Sequence, residues 1–175
     1  VLAPAKGKAN DRVESRVLAV LLADEVVDQF NLKRAVETQG GTLRNLRGAM
    51  SVGLFGLDAW VGNEVARAVR AGLDARTAAK WMAVGSGQTT LIAGGIAGAA
   101  IEAAAVGIKA CFEGLALDAE SARELQSRLP VRFHDDGLAE VTARRLPTRL
   151  LDVPRVMGTS ELVGREAELV ELRRG

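Results

Sequence analysis

Residues 39–56 read QGGTLRNLRGAMSVGLFG, and this stretch decides the fold that the sequence predicts. Residues 42–47 and 50–55 each have the length and composition of a β-strand, and a tight turn at Gly48 joins them. In the second strand, apolar residues at alternate positions are separated by a serine and a glycine. Alternation with a period of two predicts a hairpin in a sheet with one buried face.

A continuous apolar run lies upstream of this hairpin. Residues 17–23 read VLAVLLA, which has the length of a strand and contains no polar position. Such a run predicts a central strand that is covered on both faces. Between the run and the hairpin, residues 25–39 predict one modest helix, which ends at Gly40-Gly41 because glycine is favoured just beyond a helix C-terminus.

Downstream of the hairpin, apolar side chains recur every four residues. They are Val61, Val65, Val69 and Leu73, and charged residues lie off this line. The spacing predicts an amphipathic helix over residues 62–79 that buries Val65 and Val69 against the sheet.

Residues 91–108 are apolar except for Glu102, which raises the alternative of a membrane span. The large aliphatic side chains there contribute about −0.3 to −0.6 kcal/mol each to membrane insertion, and a central charge costs about +3 kcal/mol. Because these contributions nearly cancel, we expect a strand or strand pair over residues 82–92, a Gly/Ala-rich turn, and a buried small-residue helix over 98–108.

The last part of the predicted domain repeats the strand–helix alternation. Residues 114–117 predict a short strand, and Asp118 can cap a helix that Pro130 stops. That helix should point Leu125 and Leu129 inward. The tail, residues 131–153, holds short strand-like pieces around Phe133, Val141 and Leu150-Leu151. The whole order predicts an α+β sandwich, with helices packed on an antiparallel or mixed sheet.

Composition restricts the classes of partner and compartment. The 23 basic and 22 acidic residues give a net charge of +1, which offers no electrostatic footprint for nucleic acid or an anionic membrane. A single cysteine excludes an internal disulfide and fits a reducing compartment. With residues 1–15 interpreted as a linker rather than a signal peptide, we expect a cytoplasmic protein that binds neither nucleic acid nor membrane.

In order along the chain, six segments resemble the catalytic domain of the class III adenylate and guanylate cyclases. Residues 39–56 resemble the most recognisable part of that family, with a Gly-Gly-Thr entry, a hairpin and an exit that ends Phe-Gly. The resemblance covers residues 16–153 and implies a ferredoxin-like, class III cyclase-like sandwich for a domain over residues 16–155. The other five segments are VLLAD (20–24), NEVARAVRAGLDAR (63–76), MAVGSGQTT (82–90), GAAIEAAAVG (98–107) and GLALDAESARELQ (114–126).

The resemblance also implies which positions would hold metal. Cyclisation of a nucleotide needs two metal ions held by two carboxylates. The family supplies one Asp after its first strand, matched here by Asp24, and one in the Gly-Asp turn of the hairpin. That turn reads Gly48-Ala49 in this chain, and an alanine cannot bind Mg²⁺. Asp24 alone is therefore a vestigial metal position, and we expect no metal and no other cofactor.

The substrate-binding positions of the family are also replaced. The base-selecting lysine falls at Asn45, and the residue that helps to read the purine falls at Ala99. The ribose-orienting asparagine falls at Glu102, and the phosphate-stabilising arginine falls at Val106. Removal of one preorganised electrostatic group costs about 3–4 kcal/mol of transition-state stabilisation. The resemblance implies an active site built from two subunits, with the metal-binding aspartates on one and the lysine, asparagine and arginine on the other. This chain lacks a full set of residues for either role, so we expect it to be no enzyme, even with a partner subunit.

These expectations favour a catalytically inactive module for regulation or interaction in a larger signalling protein. Its partners would be a second copy, bound weakly, or neighbouring domains of the same polypeptide. The alternative is a sensor whose remodelled pocket binds a nucleotide or another small molecule, and an active cyclase with unconventional residues is the third hypothesis. Residues 161–172 (ELVGREAELVEL) resemble the start of a signalling ATPase domain, or form an exposed charged helix. The sequence contains no GxxxxGK[ST] phosphate loop.

Two further side chains, a histidine and a cysteine, are of types that can carry chemistry. His134 has no second histidine or cysteine near it in the sequence, so we expect a surface histidine rather than a zinc ligand. Cys111 lacks an activating neighbour, and we expect it to behave as a small buried apolar residue.

Overall fold

The structure, a computed structural model, describes residues 14–92 and 95–142. Strands and helices follow one another along these residues, and the first strand begins inside the predicted linker. The elements are β1 (Glu14–Val26), α1 (Gln29–Thr38), β2 (Thr42–Asn45), β3 (Ser51–Phe55), α2 (Glu64–Asp74), β4 (Ala79–Ile92), β5 (Gly95–Gly98), α3 (Ala99–Lys109), β6 (Leu115–Asp118), α4 (Ala119–Leu125), β7 (Val131–Phe133) and β8 (Leu138–Val141).

One sheet organises the described part of the chain. Its strand order is β2-β3-β1-β4-β6-β8-β7, and β5 pairs with β4 outside this path. The β4–β6 pair is parallel, and the other described pairs are antiparallel. The predicted α+β class with a mostly antiparallel sheet is therefore confirmed. β1 lies between β3 and β4, so the expectation of an inner strand over residues 17–23 is confirmed as well.

Two apolar layers cover the sheet, one on each face. In β1, Ala19, Leu21 and Ala23 belong to the layer that contains α1, α2 and α4. The intervening Leu18 and Val20, with Leu22, belong to the layer that contains α3. Each fully buried leucine contributes about 1.5–3 kcal/mol through the removal of apolar surface from water. The absence of polar positions in the run VLAVLLA follows from this double coverage.

The prediction of one buried face for the second hairpin strand is wrong. All five residues of β3 are buried. Val52 and Leu54 face the α3 layer, whereas Phe55 faces the α1–α2 layer. Gly53 leaves room for the side chain of Val36 on α1, whose Cγ2 would lie 2.9 Å from a Cβ on that glycine. The glycine thus marks a close helix approach and not a solvent-facing position.

Both helices that flank the hairpin are shorter than predicted. α1 begins at Gln29, because Glu25 and Val26 extend β1 and Asp28 caps the helix by accepting a hydrogen bond from the Asn31 amide. α2 covers Glu64–Asp74 and buries Val65 and Val69 as expected. Val61 lies outside the helix and is 60% exposed, so its assignment to the buried line is wrong.

The apolar stretch at 91–108 is divided among the end of β4, β5 and α3, so the predicted strand and helix are present. β5 lies where a Gly/Ala-rich turn was predicted, and α3 is buried on one side only, with Ala99, Glu102 and Val106 exposed. α3 packs so closely on β4 that position 85 has no room for a side chain. A Cβ on Gly85 would lie only 2.4 Å from the carbonyl oxygen of Ala100. None of the described helices is long and apolar enough to cross a membrane.

The predicted cap at Asp118 is confirmed. Its side chain accepts hydrogen bonds from the amides of Glu120 and Ser121 at the start of α4. Leu125 and Leu129 are buried, as expected. β7 and β8 account for the strand-like pieces around Phe133 and Val141, and the piece at Leu150-Leu151 lies outside the described residues.

Candidate functional site

Asp24 lies near the C-terminal end of β1, where the sequence predicted the vestigial metal position. It is opposite Trp81 on β4, and the preceding Ala23 is opposite Ser51 on β3. The carboxylate is partly buried, and its Oδ1 accepts a hydrogen bond of 2.8 Å from the Glu25 amide. Glu25 has φ +50°, so this bond supports a local left-handed kink at the end of the strand.

The hairpin turn brings position 49 to the same end of β1. Gly48 adopts φ +74°, a conformation that glycine accommodates without strain, and turns the chain back toward the sheet. The carbonyl oxygen of Ala49 then accepts a hydrogen bond of 3.0 Å from the Val26 amide. The two positions that the resemblance pairs as metal ligands are therefore close along the fold. One carries a carboxylate, and the other carries a methyl group.

Other carboxylates near this end of β1 are engaged in local interactions. Glu25 forms an ion pair of 3.0 Å with Lys80 Nζ. Asp28 caps α1 through a bond of 2.9 Å from the Asn31 amide. Across residues 14–92 and 95–142, no group of three or more His, Cys, Asp or Glu side chains is arranged to hold a metal ion.

Asn45, at the family's base-selecting position, takes part in a small polar network. Its Oδ1 accepts a hydrogen bond of 2.6 Å from Gln29 Nε2. The hydroxyl of the buried Ser51 lies 3.2 Å from Gln29 Oε1 and 3.4 Å from Asn45 Oδ1, so it can donate to either oxygen. The network joins α1 to the hairpin. The sequence did not single out Gln29 or Ser51, since only the folded sheet brings them beside Asn45.

The remaining three predicted positions share one face of α3. Ala99, Glu102 and Val106 are exposed, and Val106 is 53% exposed. Their spacing of three and four residues keeps them on one side of the helix. The opposite side, which includes Ala100 and Ala104, is buried against the sheet. No described hydrogen bond joins these three residues to Asp24 or Asn45.

A partly buried polar cluster at Asp118 is structural. Asp118 Oδ2 accepts hydrogen bonds from the Ser86 amide (3.0 Å) and the Ser121 hydroxyl (2.6 Å), while Oδ1 accepts the two amides at the start of α4. Because both oxygens are occupied by donors from β4 and α4, this carboxylate ties the two elements together.

An open groove lies beside the opposite end of β1. It has a volume of about 410 Å³ and is lined by Arg16, Val17, Gly56, Asp58, Ala59 and Trp60. Gly56 adopts φ +94°, and a Cβ there would lie 3.2 Å from Trp60 Cε3. The glycine thus lets the indole pack against the end of β3. No pattern in the sequence indicates this groove, because its walls come from β1 and from the loop between β3 and α2, which are far apart along the chain.

Cys111 and His134 differ from the sequence expectations. Cys111 is exposed and has φ +53°, because it lies in the left-handed turn that follows α3. His134 is partly buried, with a side chain that is 29% exposed, because its ring stacks on Phe112.

Comparison with known proteins identifies the fold. No protein-family model and no curated protein sequence matches this chain. Among solved structures, the monomeric guanylyl cyclase domain of the RhoGC fusion protein from the aquatic fungus Blastocladiella emersonii is similar, with a TM-score of 0.62 at 12% identity over 76% of this chain and 99% of that one.

Two other solved structures extend this similarity. A non-canonical dimeric form of the Blastocladiella emersonii domain gives a TM-score of 0.60 at 11% identity, over 78% of this chain and 99% of that one. The adenylyl cyclase CyaB from P. aeruginosa gives 0.57 at 14% identity, over 77% and 97%. At such identities the likeness establishes the fold, and this chain has the fold of adenylyl and guanylyl cyclase catalytic domains.

Proposed function

We propose that this chain is a catalytically inactive cyclase-like module that serves regulation or protein interaction in a larger multidomain signalling protein. The observation that carries the proposal is Ala49, which occupies the hairpin turn at the end of the strand that holds Asp24. In-line attack on an α-phosphate needs two metal ions to activate the nucleophile and neutralise the phosphates. A single carboxylate does not hold such a pair.

The substrate positions support the same proposal. Asn45 is held by Gln29, and α3 presents Ala99, Glu102 and Val106 at the positions where the resemblance implies groups that bind base, ribose and phosphate. Each lost group costs about 3–4 kcal/mol of transition-state stabilisation, and even half the sum of several such losses would abolish useful turnover. A dimer partner of the same sequence would lack the same groups.

An interaction role fits the outward face of α3. The small, exposed side chain of Ala99 there would permit close approach of a second backbone. We propose weak self-association, or contact with neighbouring domains of the polypeptide, in a cytoplasmic setting. A specific contact should bury more than about 1,000 Å² in total. Residues 161–172 are proposed to begin a following ATPase domain.

The second candidate function is a small-molecule or nucleotide sensor. The groove at Trp60 favours it, because about 410 Å³ lies within the range of ligand sites and an exposed indole offers a stacking surface. A rise in melting temperature with ATP or GTP that is retained in Asp24→Asn but lost in Trp60→Ala would support the sensor over a pure interaction module.

Metal binding tests the proposed loss of the site. Calorimetric titration of Mn²⁺ into the full chain should give no saturable binding. Ala49→Asp, which returns a second carboxylate to the turn, should gain binding, and adding Asp24→Asn to that variant should remove it. Saturable binding by the unsubstituted chain that Asp24→Asn abolishes would contradict the proposal.

A further inference from the structure

The loop between β3 and α2 is fastened at both of its ends. At the first end, Arg16 Nη1 on β1 donates a hydrogen bond to the carbonyl oxygen of Leu57. At the second end, the buried Glu64 carboxylate accepts bonds of 2.8 and 2.9 Å from the amides of residues 61 and 62. Residues 58–60 lie between these two anchors. Because the loop is already held in place, it has little conformational freedom to lose when a ligand binds to it.

Residues 58–60 line the groove beside β1, where two large apolar residues are exposed together. Val17 on β1 is 48% exposed, and Trp60 is 37% exposed. The indole packs against the backbone at Gly56, where a Cβ would lie 3.2 Å from Trp60 Cε3, and the rest of its surface stays open to contact. Exposed apolar side chains that share a concave surface mark a binding site, and an indole offers its ring for stacking. The groove therefore suits a ligand with a planar ring.

The two charged side chains that line the groove have different surroundings. Arg16 is engaged, because its Nη1 bonds to the Leu57 carbonyl and anchors the loop. The Asp58 carboxylate is exposed, and no hydrogen bond or ion pair within residues 14–92 and 95–142 engages it. A carboxylate in this state attracts a cation and repels an anion such as a phosphate. The charge that the groove offers to a ligand is therefore negative.

We propose that the groove binds a small aromatic amine, whose ring packs against Trp60 and Val17 and whose ammonium group pairs with Asp58. An ammonium group close to an indole is also attracted to the face of the ring. The inference rests on the sensor candidate described above, and it names the ligand class as a cationic aromatic molecule instead of a nucleotide. It is separate from the proposed loss of the metal site, which lies at the other end of β1.

Three probes that share one ring separate the effect of the ring from the effect of the charge. They are 2-phenylethylamine, 2-phenylethanol and phenylacetate, which at neutral pH are positively charged, uncharged and negatively charged. Each is titrated into the full chain, and proton NMR follows the indole N–H of Trp60, which Trp81→Phe distinguishes from the other indole. We expect dissociation constants in the millimolar range for such small ligands. The amine should bind about three- to tenfold more tightly than phenylacetate, as expected for a solvated ion pair.

Substitutions at position 58 test the ion pair. Asp58→Asn keeps the shape of the side chain and should remove the preference for the amine, whereas Asp58→Lys should reverse it in favour of phenylacetate. Asp135→Asn is the matched control, because it removes an exposed carboxylate from the β7–β8 hairpin, which β4 and β6 separate from β1 in the sheet. The control should keep the preference. An amine preference that persists in Asp58→Asn would overturn the pairing with Asp58.

Substitution of the indole tests the ring contact. Trp60→Ala should abolish the binding of all three probes, measured by calorimetry, and Trp60→Leu, which keeps an apolar side chain against Gly56, replaces it if the alanine variant fails to fold. If no probe binds the unsubstituted chain, the proposal and the sensor candidate at this groove both fail. If the three probes bind equally well, or phenylacetate binds best, the sensor candidate stands and the proposed ligand class is overturned.

Discussion

Glu64 is a charged residue that the fold buries completely, with 0% exposure at the start of α2. Its two carboxylate oxygens accept hydrogen bonds from the amides of Val61 (2.8 Å) and Gly62 (2.9 Å). Arg67, one turn later, lies 4.0 Å from Oε1 and donates to the carbonyls of Gln39 and Gly40 at 2.6 and 2.8 Å. These two residues therefore fasten the loop before α2 and the turn before the hairpin to one helix end.

Removal of the Glu64 carboxylate should destabilise the protein strongly. Glu64→Ala leaves two amides and the Arg67 charge without their buried partner, and the loss of one member of such a pair costs about 3–5 kcal/mol. Glu37→Ala is the control, because Glu37 makes an exposed pair of 3.8 Å with Lys33 and should change stability by less than about 1 kcal/mol. Urea denaturation of both variants measures the difference. Equal stabilities would show that the Glu64 network contributes little.

At the scale of elements, the sequence predicted the strands and helix ends that depend on neighbouring residues in the chain. β1 follows from its unbroken apolar run, and the helix caps at Asp118 and Gly40-Gly41 follow from local hydrogen bonding. The buried second face of β3 did not follow, because it depends on Val36 from α1 packing over Gly53. The extension of the C-terminal end of β1 to Val26 likewise depends on the pairing of Val26 with Ala79 of β4.

The candidate site also contains some features that the sequence could predict and others that it could not. Position 49 could be placed beside Asp24 because glycines and the Phe55-Gly56 exit fix the register of the hairpin. The hydrogen bond from Gln29 to Asn45 and the contact of His134 with Phe112 could not be predicted. Each joins residues from different elements, and only the assembled sheet brings them together.

At the scale of the whole molecule, the outward face of α3 offers a test of assembly. Sedimentation over a concentration series should show weak self-association that strengthens at high micromolar concentration. Val106→Glu, on the exposed face, should weaken association with little loss of stability, because it adds charge without disturbing the buried side. Lys33→Glu on α1 is the control surface charge. A strict monomer at high micromolar concentration would leave neighbouring domains or another protein as the partner.

Turnover is the measurement that tests the central claim most directly. The purified chain, incubated with ATP or GTP and with Mg²⁺ or Mn²⁺, should yield no more cyclic nucleotide than Asp24→Ala prepared in the same way. The reason is that the turn beside Asp24 presents a methyl group at position 49 where a second metal ligand is required. Protein-dependent cyclic product that disappears in Asp24→Ala would contradict the account and identify the chain as an active cyclase.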